Sequence, residues 1–437
     1  MRLVVLERHT VPTFYMEMVV MSGGLSDPPT QRGLASFTAS MLREGTTKRT
    51  SKEIAEQVDV LGASLSAGSG LSSFQTNVSA SGLVENFDPT LEIFSDVIRN
   101  PVFPKDEWEK FKARTLAQWQ LQRSQPMFLA QERFQRAAYG DHPAAFIMPP
   151  ADSLKKVTRD DLLGFHKRHF QPGNAMLAIV GDVTLKDIQG KIEQAFGNWA
   201  SLIGAGVPKT VIPPAPVPGA AKIFLIDRPA SVQTVLQLGN LGITRTDPDY
   251  FPLLVMNRIL GGGPAARLFL NLREDKGYTY GVGSFFSGSK FRGTWTAFSS
   301  VRTEVTDGAM HEFMVEFKRI RDVQVMPEEL ENAKRALIGS FAMVLERPEG
   351  LLQNVLTLKQ YELPYDYWDT YPQSVEGVTA ADVQRVAKKY VDLAHLQIVA
   401  VGDVSKIRSV MAKYGAVELY DADGNRIDAA GAKGQSE

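Results

Sequence analysis

Val157-Thr-Arg-Asp-Asp-Leu162, followed by Ile179-Val-Gly-Asp-Val183, returns later in the same chain as Val378-Thr-Ala-Ala-Asp-Val383 and Ala400-Val-Gly-Asp-Val404. The offset is 221 at both ends (378 − 157 and 404 − 183), so the distance between the two markers is preserved. Leu3 to Arg8 matches Ile223 to Arg228, and Asp27-Pro28 matches Asp247-Pro248, both at 220 (223 − 3 and 247 − 27). Pro104-Lys-Asp-Glu-Trp-Glu lines up with Pro327-Glu-Glu-Leu-Glu-Asn at 223 (327 − 104). Markers holding one offset along the whole length are the signature of a duplicated unit.

The join is marked by composition. Pro208, Pro213, Pro214, Pro216 and Pro218 crowd one segment, which excludes a sheet centre or helix interior and predicts an extended spacer. This places a first domain at 1–202, a linker at 203–219, a second domain at 220–428 and a small, polar, disordered tail at 429–437. In the first copy, the pattern predicts strands at Arg2 to Arg8 and Thr13 to Ser22, then a helix from about Gln31 to Arg43. A helix at Ser51 to Leu61 with Ser51 as N-cap follows, then two strands through Ala63 to Ser81. Helices over Val84 to Arg99, Lys105 to Arg123 and Thr158 to Phe170 lead into the strand Ala175 to Val180. Strands and helices mix without strict alternation, so the expected class is α+β: two homologous domains in tandem, each a mostly antiparallel sheet packed with helices.

Composition excludes several functions. The formal net charge of −1 gives no electrostatic case for nucleic acid. There is no cysteine, hence no disulfide, thiolate metal site or cysteine nucleophile. No apolar run approaches the roughly 20 residues of a membrane helix. Met1-Arg2-Leu3-Val4-Val5-Leu6 enters a strand with no cleavage-site pattern, which suggests a mature or trimmed chain.

A second informative stretch runs from Ile259 to Gly283. Gly261, Gly262 and Gly263 break one helix, and Pro264 is suited to open the next. Leu268, Phe269 and Leu272 fall at helical spacing, and Gly277 suits a left-handed C-cap. Arg273 then lies at a helix end and Tyr280 on the following strand, so that both could reach one cleft edge. Tyr278, two residues earlier, would point the same way on a regular strand.

This stretch resembles the second domain of the insulinase/pitrilysin family of zinc metallopeptidases, the inverzincins. There an Arg and a Tyr after such a Gly-rich break act on the substrate, and the matching positions are Arg273 and Tyr280. The resemblance also makes Gly261, Gly262 and Gly263 part of a flexible break lining the substrate chamber. Gly33-Leu-Ala-Ser-Phe-Thr-Ala-Ser-Met-Leu-Arg-Glu-Gly-Thr46 resembles the family's active-site helix. Catalytic members carry H-x-x-E-H there, with two His ligands and a Glu base. In this chain Ser36 and Ser40 occupy the ligand positions and Ala39 the base position. The third ligand, a Glu some 77 residues on, falls on Ala117 (117 − 40 = 77). Serine hydroxyls and alanine methyls do not hold zinc, so no metal is expected in this chain.

Other sites fail on inspection. His311-Glu312 opens a zincin-like pattern, but position 315 is Val. His166 and His169 lack a third ligand and are expected at the surface. Asp421-Ala-Asp-Gly-Asn425 lacks the later ligands of a calcium loop and is expected as a hairpin turn. No phosphate loop or nucleophile elbow is present.

The resemblance implies a non-catalytic subunit of a two-chain peptidase. A homologous H-x-x-E-H partner, in a heterodimer or larger assembly, would supply zinc, and this chain would add substrate binding and oxyanion stabilisation toward peptides. Neither nucleic acid nor a membrane is expected as a partner, and a bacterial periplasm is the expected compartment. The alternatives are a structural scaffold subunit, as in the respiratory-complex core proteins of this family, or a peptide-binding homodimer without chemistry.

Overall fold

The computed structural model describes residues 1–199, 211–217 and 219–427. Most of the predicted linker and the tail from 428 onward lie outside the described residues. In the first half the strands are β1 (Arg2–Glu7), β2 (Thr13–Val20), β3 (Ser64–Ser69), β4 (Thr76–Leu83) and β5 (Ala175–Gly181). The helices there are α1 (Leu34–Met41), α2 (Ser51–Val60), α3 (Phe87–Arg99), α4 (Lys105–Arg123), α5 (Pro126–Tyr139), α6 (Ala151–Lys156), α7 (Arg159–His169) and α8 (Leu185–Phe196).

The second half contains β6 (Lys222–Asp227), β7 (Gln233–Leu241), the short pair β8 (Ile243–Thr244) and β10 (Gly288–Ser289), β9 (Thr279–Phe286), β11 (Thr294–Arg302), β12 (Gln397–Gly402) and β13 (Val417–Tyr420). Its helices are α9 (Tyr250–Leu260), α10 (Arg267–Phe269), α11 (Thr306–Asp322), α12 (Pro327–Leu345), α13 (Pro348–Tyr361), α14 (Tyr371–Glu376), α15 (Ala380–Tyr390) and α16 (Val404–Met411).

The duplication is explicit in the sheets. One has the order β1-β5-β2-β4-β3; the other runs β13-β6-β12-β7-β11-β9. Removing β13 leaves the same order, and in both the first pair is parallel (β1 with β5, β6 with β12) and the other named pairs are antiparallel. This is an α+β fold.

The compact units, however, are not the contiguous ranges expected from sequence. One comprises Met1–Trp119, Phe146–Ile212 and Met343–Gln360; the other Gln120–Ala145, Pro213–Ala342 and Tyr361–Glu437. Helix α5 therefore belongs with the second sheet and most of α13 with the first. The reason is burial on both sheet faces. In the first unit Leu352 and Leu356 of α13 cluster with Val19, Met176, Ala178 and Val180. The opposite face packs against α1, α3 and α7 through residues such as Phe37, Phe94 and Phe165. In the second unit α5 lies on β7 and β12. A Cβ added at Gly239 there would meet the Phe134 ring at 2.9 Å.

Several boundaries move for local reasons. Helix α1 starts at Leu34 rather than near Gln31, because Gly33 is left-handed (φ 98°). Asp27 caps that start from upstream, accepting from Gly33 N at 2.7 Å and Ala35 N at 2.9 Å. The N-cap of α2 is Thr50, not Ser51; Thr50 and Glu53 form a reciprocal capping box. Asp421 accepts from the backbone of Asp423 and Asn425, closing the expected turn.

Candidate functional site

Helix α9 ends at Leu260 with Gly261 as its C-cap, and the chain reaches α10 only at Arg267, three residues beyond Pro264. Pro264 therefore does not open that helix; Ala266 is its N-cap. From Leu270 to Asp275 the chain continues as a π-helix. Gly277, with φ +62°, ends it as expected for a left-handed cap. Gly277 N donates to Arg273 O at 3.1 Å and Tyr278 N to Leu272 O at 2.9 Å. Leu268 and Leu272 are fully buried, which anchors the segment's apolar face.

Arg273 and Tyr280 come together. The guanidinium carbon lies 5.1 Å from the Tyr280 ring centroid and 4.6 Å from that of Phe269. The cation is thus held between two aromatic faces, an arrangement electrostatically favourable by roughly 0.5–1 kcal/mol at exposed sites. The Tyr280 ring is 89% exposed, and its hydroxyl makes no hydrogen bond among the described residues. Arg273 has Glu274 at 3.6 Å, too long for a hydrogen bond. Donors and phenol are both left available to a ligand.

Tyr278 does not share this face. Its ring packs against the unit's core, so close to α11 that a Cβ at Gly308 would sit 2.8 Å from its hydroxyl. Strand alternation fails here because β9 carries an extra residue. Val301 pairs with Thr279 but Ser299 with Val282, so Tyr280 and Gly281 on one strand stand against Ser300 alone on the other. Such a bulge breaks the period of two and re-aims a side chain. Thr279 fixes it, its hydroxyl reaching Ser300 O at 2.7 Å and Gly281 O at 2.9 Å.

The glycines take different parts. Gly261 is buried, and both its backbone groups are used: its N donates to Asn257 O and its O accepts from Ser284 N, each at 3.0 Å. A Cβ there would lie 2.4 Å from Ser284 N. This residue packs α9 on β9, and is not the open chamber wall expected from the resemblance. Gly262 O accepts from Arg258, and Gly263 lines a cavity of about 370 Å³ with Arg258, Ala266, Leu270 and Asn332.

One organising residue was missed from sequence. Asn257 donates to Ser284 O (3.1 Å) and accepts from Ser284 Oγ (2.8 Å) and Trp295 Nε1 (3.2 Å). No sequence signal singles it out: Asn257 stands beside a second polar residue, Arg258, in α9, and its partners lie 27 and 38 positions on (284 − 257 and 295 − 257).

The degenerate zinc helix is α1. Ala39 is fully buried, Ser36 and Ser40 are half-buried, and Ala117 is exposed on α4. The two helices pack through Phe37, whose ring lies 6.0 Å from Trp108, 6.2 Å from Phe111 and 6.4 Å from Trp119. Zinc does not fit this donor set: two hydroxyls and two methyls offer neither imidazole nor carboxylate. Among the described residues no three His, Cys, Asp or Glu side chains gather elsewhere.

His166 and His169 are not the surface residues expected. His166 donates through Nε2 to Ile98 O (2.7 Å), and His169 Nδ1 meets Ser22 Oγ (2.9 Å). Burial holds both imidazoles down to about 4, with the Arg168 charge adding to the effect at His169. They are packing histidines.

Comparison with known proteins agrees with this architecture. Residues 3–149 match the family model described as insulinase (peptidase family M16), and residues 156–337 match the peptidase M16 inactive domain. The chain belongs to the M16, or insulinase, family. A crystal structure of a peptidase M16 inactive domain from Pseudomonas fluorescens superposes with a TM-score of 0.83 at 28% identity, covering 92% of this chain and 95% of that one. A protein described as an uncharacterized zinc protease in Rickettsia felis is 26% identical over 87% of this chain and 90% of its own. The probable mitochondrial-processing peptidase subunit beta of Arabidopsis thaliana is 22% identical, over 86% and 71% respectively.

Proposed function

We propose that this chain is a non-catalytic subunit that completes the active site of a zinc metalloendopeptidase. The zinc-bearing H-x-x-E-H helix belongs to a homologous partner, in a heterodimer or larger assembly, and peptides are the substrate. The observation that carries this is the stacked Arg273–Tyr280 pair, half-buried guanidinium against exposed phenol, in a chain whose own α1 has no metal donors. Tyr280 donates its phenolic hydrogen to the carbonyl oxygen as negative charge develops there. Arg273 offers its planar fork to a neighbouring substrate carbonyl, and its stacking on Tyr280 keeps the phenol in place. Zinc chemistry is the partner's contribution; this chain binds and orients the substrate. The similarity to a protein named as a processing-peptidase subunit supports a divided assembly. The proposal places the pair in a bacterial periplasm, which cell fractionation tests.

The test of function is a steady-state assay of the reconstituted pair on an unstructured peptide, with zinc measured in every sample. Tyr280→Phe leaves pairing and partner zinc intact and lowers turnover by about one to three orders of magnitude, as for a lost oxyanion donor. Arg273→Lys is also damaging, because a point charge does not reproduce the fork. Tyr278→Phe behaves nearly as wild type. Full activity in both the Tyr280 and Arg273 variants would leave the scaffold reading in its place.

A further inference from the structure

The segment that bears Arg273 is wound as a π-helix over Leu270–Asp275. π-helical turns are rare and recur at functional sites. Its Asn271 side chain is tied to α11. Asn271 Nδ2 donates to Glu312 Oε2 at 2.9 Å and to Glu316 Oε1 at 3.0 Å, both on α11. Glu316 is 4% exposed. Its Oε2 and Asn271 Oδ1 are buried without a hydrogen-bond partner among the described residues. Arg319 Nη1 stands 3.7 Å from Glu316 Oε1, beyond hydrogen-bond reach. The Asn271 amide is thus the one hydrogen-bond donor that this buried carboxylate receives among the described residues.

We infer that Asn271 is the positioning residue of the site: its amide pins the π-helical turn to Glu312 and Glu316 and so fixes the Arg273 guanidinium between Phe269 and Tyr280. The inference rests on the reading that Arg273 acts on substrate. The physical argument is one of register. An α-helical turn advances about 100° per residue, and a π-helical turn inserts one residue more. Without the amide, two neighbouring carboxylates lose the donor that bridges them, and the turn loses its attachment on that side. If it rewinds as α-helix, the residues after Asn271, Arg273 among them, turn about the axis by up to the roughly 100° of one residue's advance, and Arg273 leaves the Tyr280 ring. A buried acceptor stripped of its donor is costly, so the wild-type amide favours the strained winding over the regular one.

The experiment begins with this chain alone. Arginine side chains are labelled with ¹⁵N, and the Arg273 Nε–Hε resonance is assigned by its disappearance in Arg273→Lys. In the wild type, the two flanking rings displace it from the position of a solvated arginine. Asn271→Ala moves it at least halfway back. Asn240→Ala removes another buried amide of the same unit, one that donates to Asp392 O, and leaves it in place. Should Asn271→Ala not fold, Glu312→Ala removes one of the two acceptors from the less buried side and gives a smaller displacement in the same direction. In the reconstituted pair, Asn271→Ala lowers kcat about 3- to 30-fold with KM changed less than twofold, a smaller loss than deleting an oxyanion donor outright. An unchanged Arg273 resonance in the folded variant overturns the positioning role. A displaced resonance with full activity supports it, and counts instead against the active-site reading of Arg273.

Discussion

Asn257 spends its whole amide on its neighbours, holding Ser284 of β9 and Trp295 of β11 against α9. Its truncation strands the Ser284 carbonyl and hydroxyl and the Trp295 N–H in a dry interior. Each such group costs about 1–3 kcal/mol unless it finds a new partner. Asn257→Ala therefore lowers urea-unfolding stability by about 2–4 kcal/mol. Tyr280→Phe, at an 89% exposed ring, changes it by less than about 0.5 kcal/mol. The sequence pointed to Arg273 and Tyr280 only through the family pattern. Residue chemistry left Tyr278 and Tyr280 equivalent, because nothing in the letters announces an extra residue in a strand whose partner lies 20 positions on (300 − 280). Asn271 and Asn257 were silent for a related reason: an amide's importance lies in who faces it.

The glycine-rich stretch separates constraint from freedom. Gly261→Ala drives a methyl onto Ser284 N, 2.4 Å away, and must push β9 off α9. Gly281→Ala, two residues before Gly283 on the same strand, meets nothing within 4 Å. The first is expected to lower the melting temperature by several degrees and to disturb Tyr280; the second is expected to leave both unchanged, as thermal melts and the peptide assay will show. Gly277→Ala lies between, costing about 1–2 kcal/mol because its φ of +62° is left-handed. Most elements were legible because periodicity and caps are local signals; α4 and the Gly277 stop stand where expected. The helix start at Leu34 was not, since it is set by a glycine in the left-handed region and an aspartate eight residues before Ala35. The π-helix was not legible either, because its cause sits on α11.

For the whole molecule, stability depends on keeping His166 and His169 neutral. Burial lowers both to about 4 in the fold, against about 6.5 in an unfolded chain. The unfolded state therefore takes up protons first as pH falls, and the stability these residues contribute is complete above about 6.5 and lost progressively toward 4. Asp27 works the other way. Burial raises it to about 7, so its contribution is full near 4 and declines as pH rises through 7. Thermal melts between pH 4 and 7 should show acid loss that is shallower in His166→Gln, a side chain that still donates to Ile98 O. An identical slope in the variant would remove His166 from the account. The duplication of the fold was legible from end to end, because fixed-offset markers survive divergence. That α5 and α13 each complete the other copy's unit was not, since an amphipathic helix does not name the sheet it covers.

That exchange imposes a schedule on synthesis. Helix α5 ends at residue 139, but the strand β12 beneath it begins at 397, 258 residues later (397 − 139). At about 5–20 residues per second on the ribosome, roughly 10–50 s pass before Phe134 and Leu129 find their sheet. The first unit waits in turn for Leu352 and Leu356 to cover Val19 and Val180. Neither unit can close before most of the chain exists, so a prematurely terminated polypeptide keeps an apolar sheet face bare. Such a nascent chain would be a natural client for chaperones, and an aborted one a ready target for quality-control proteolysis.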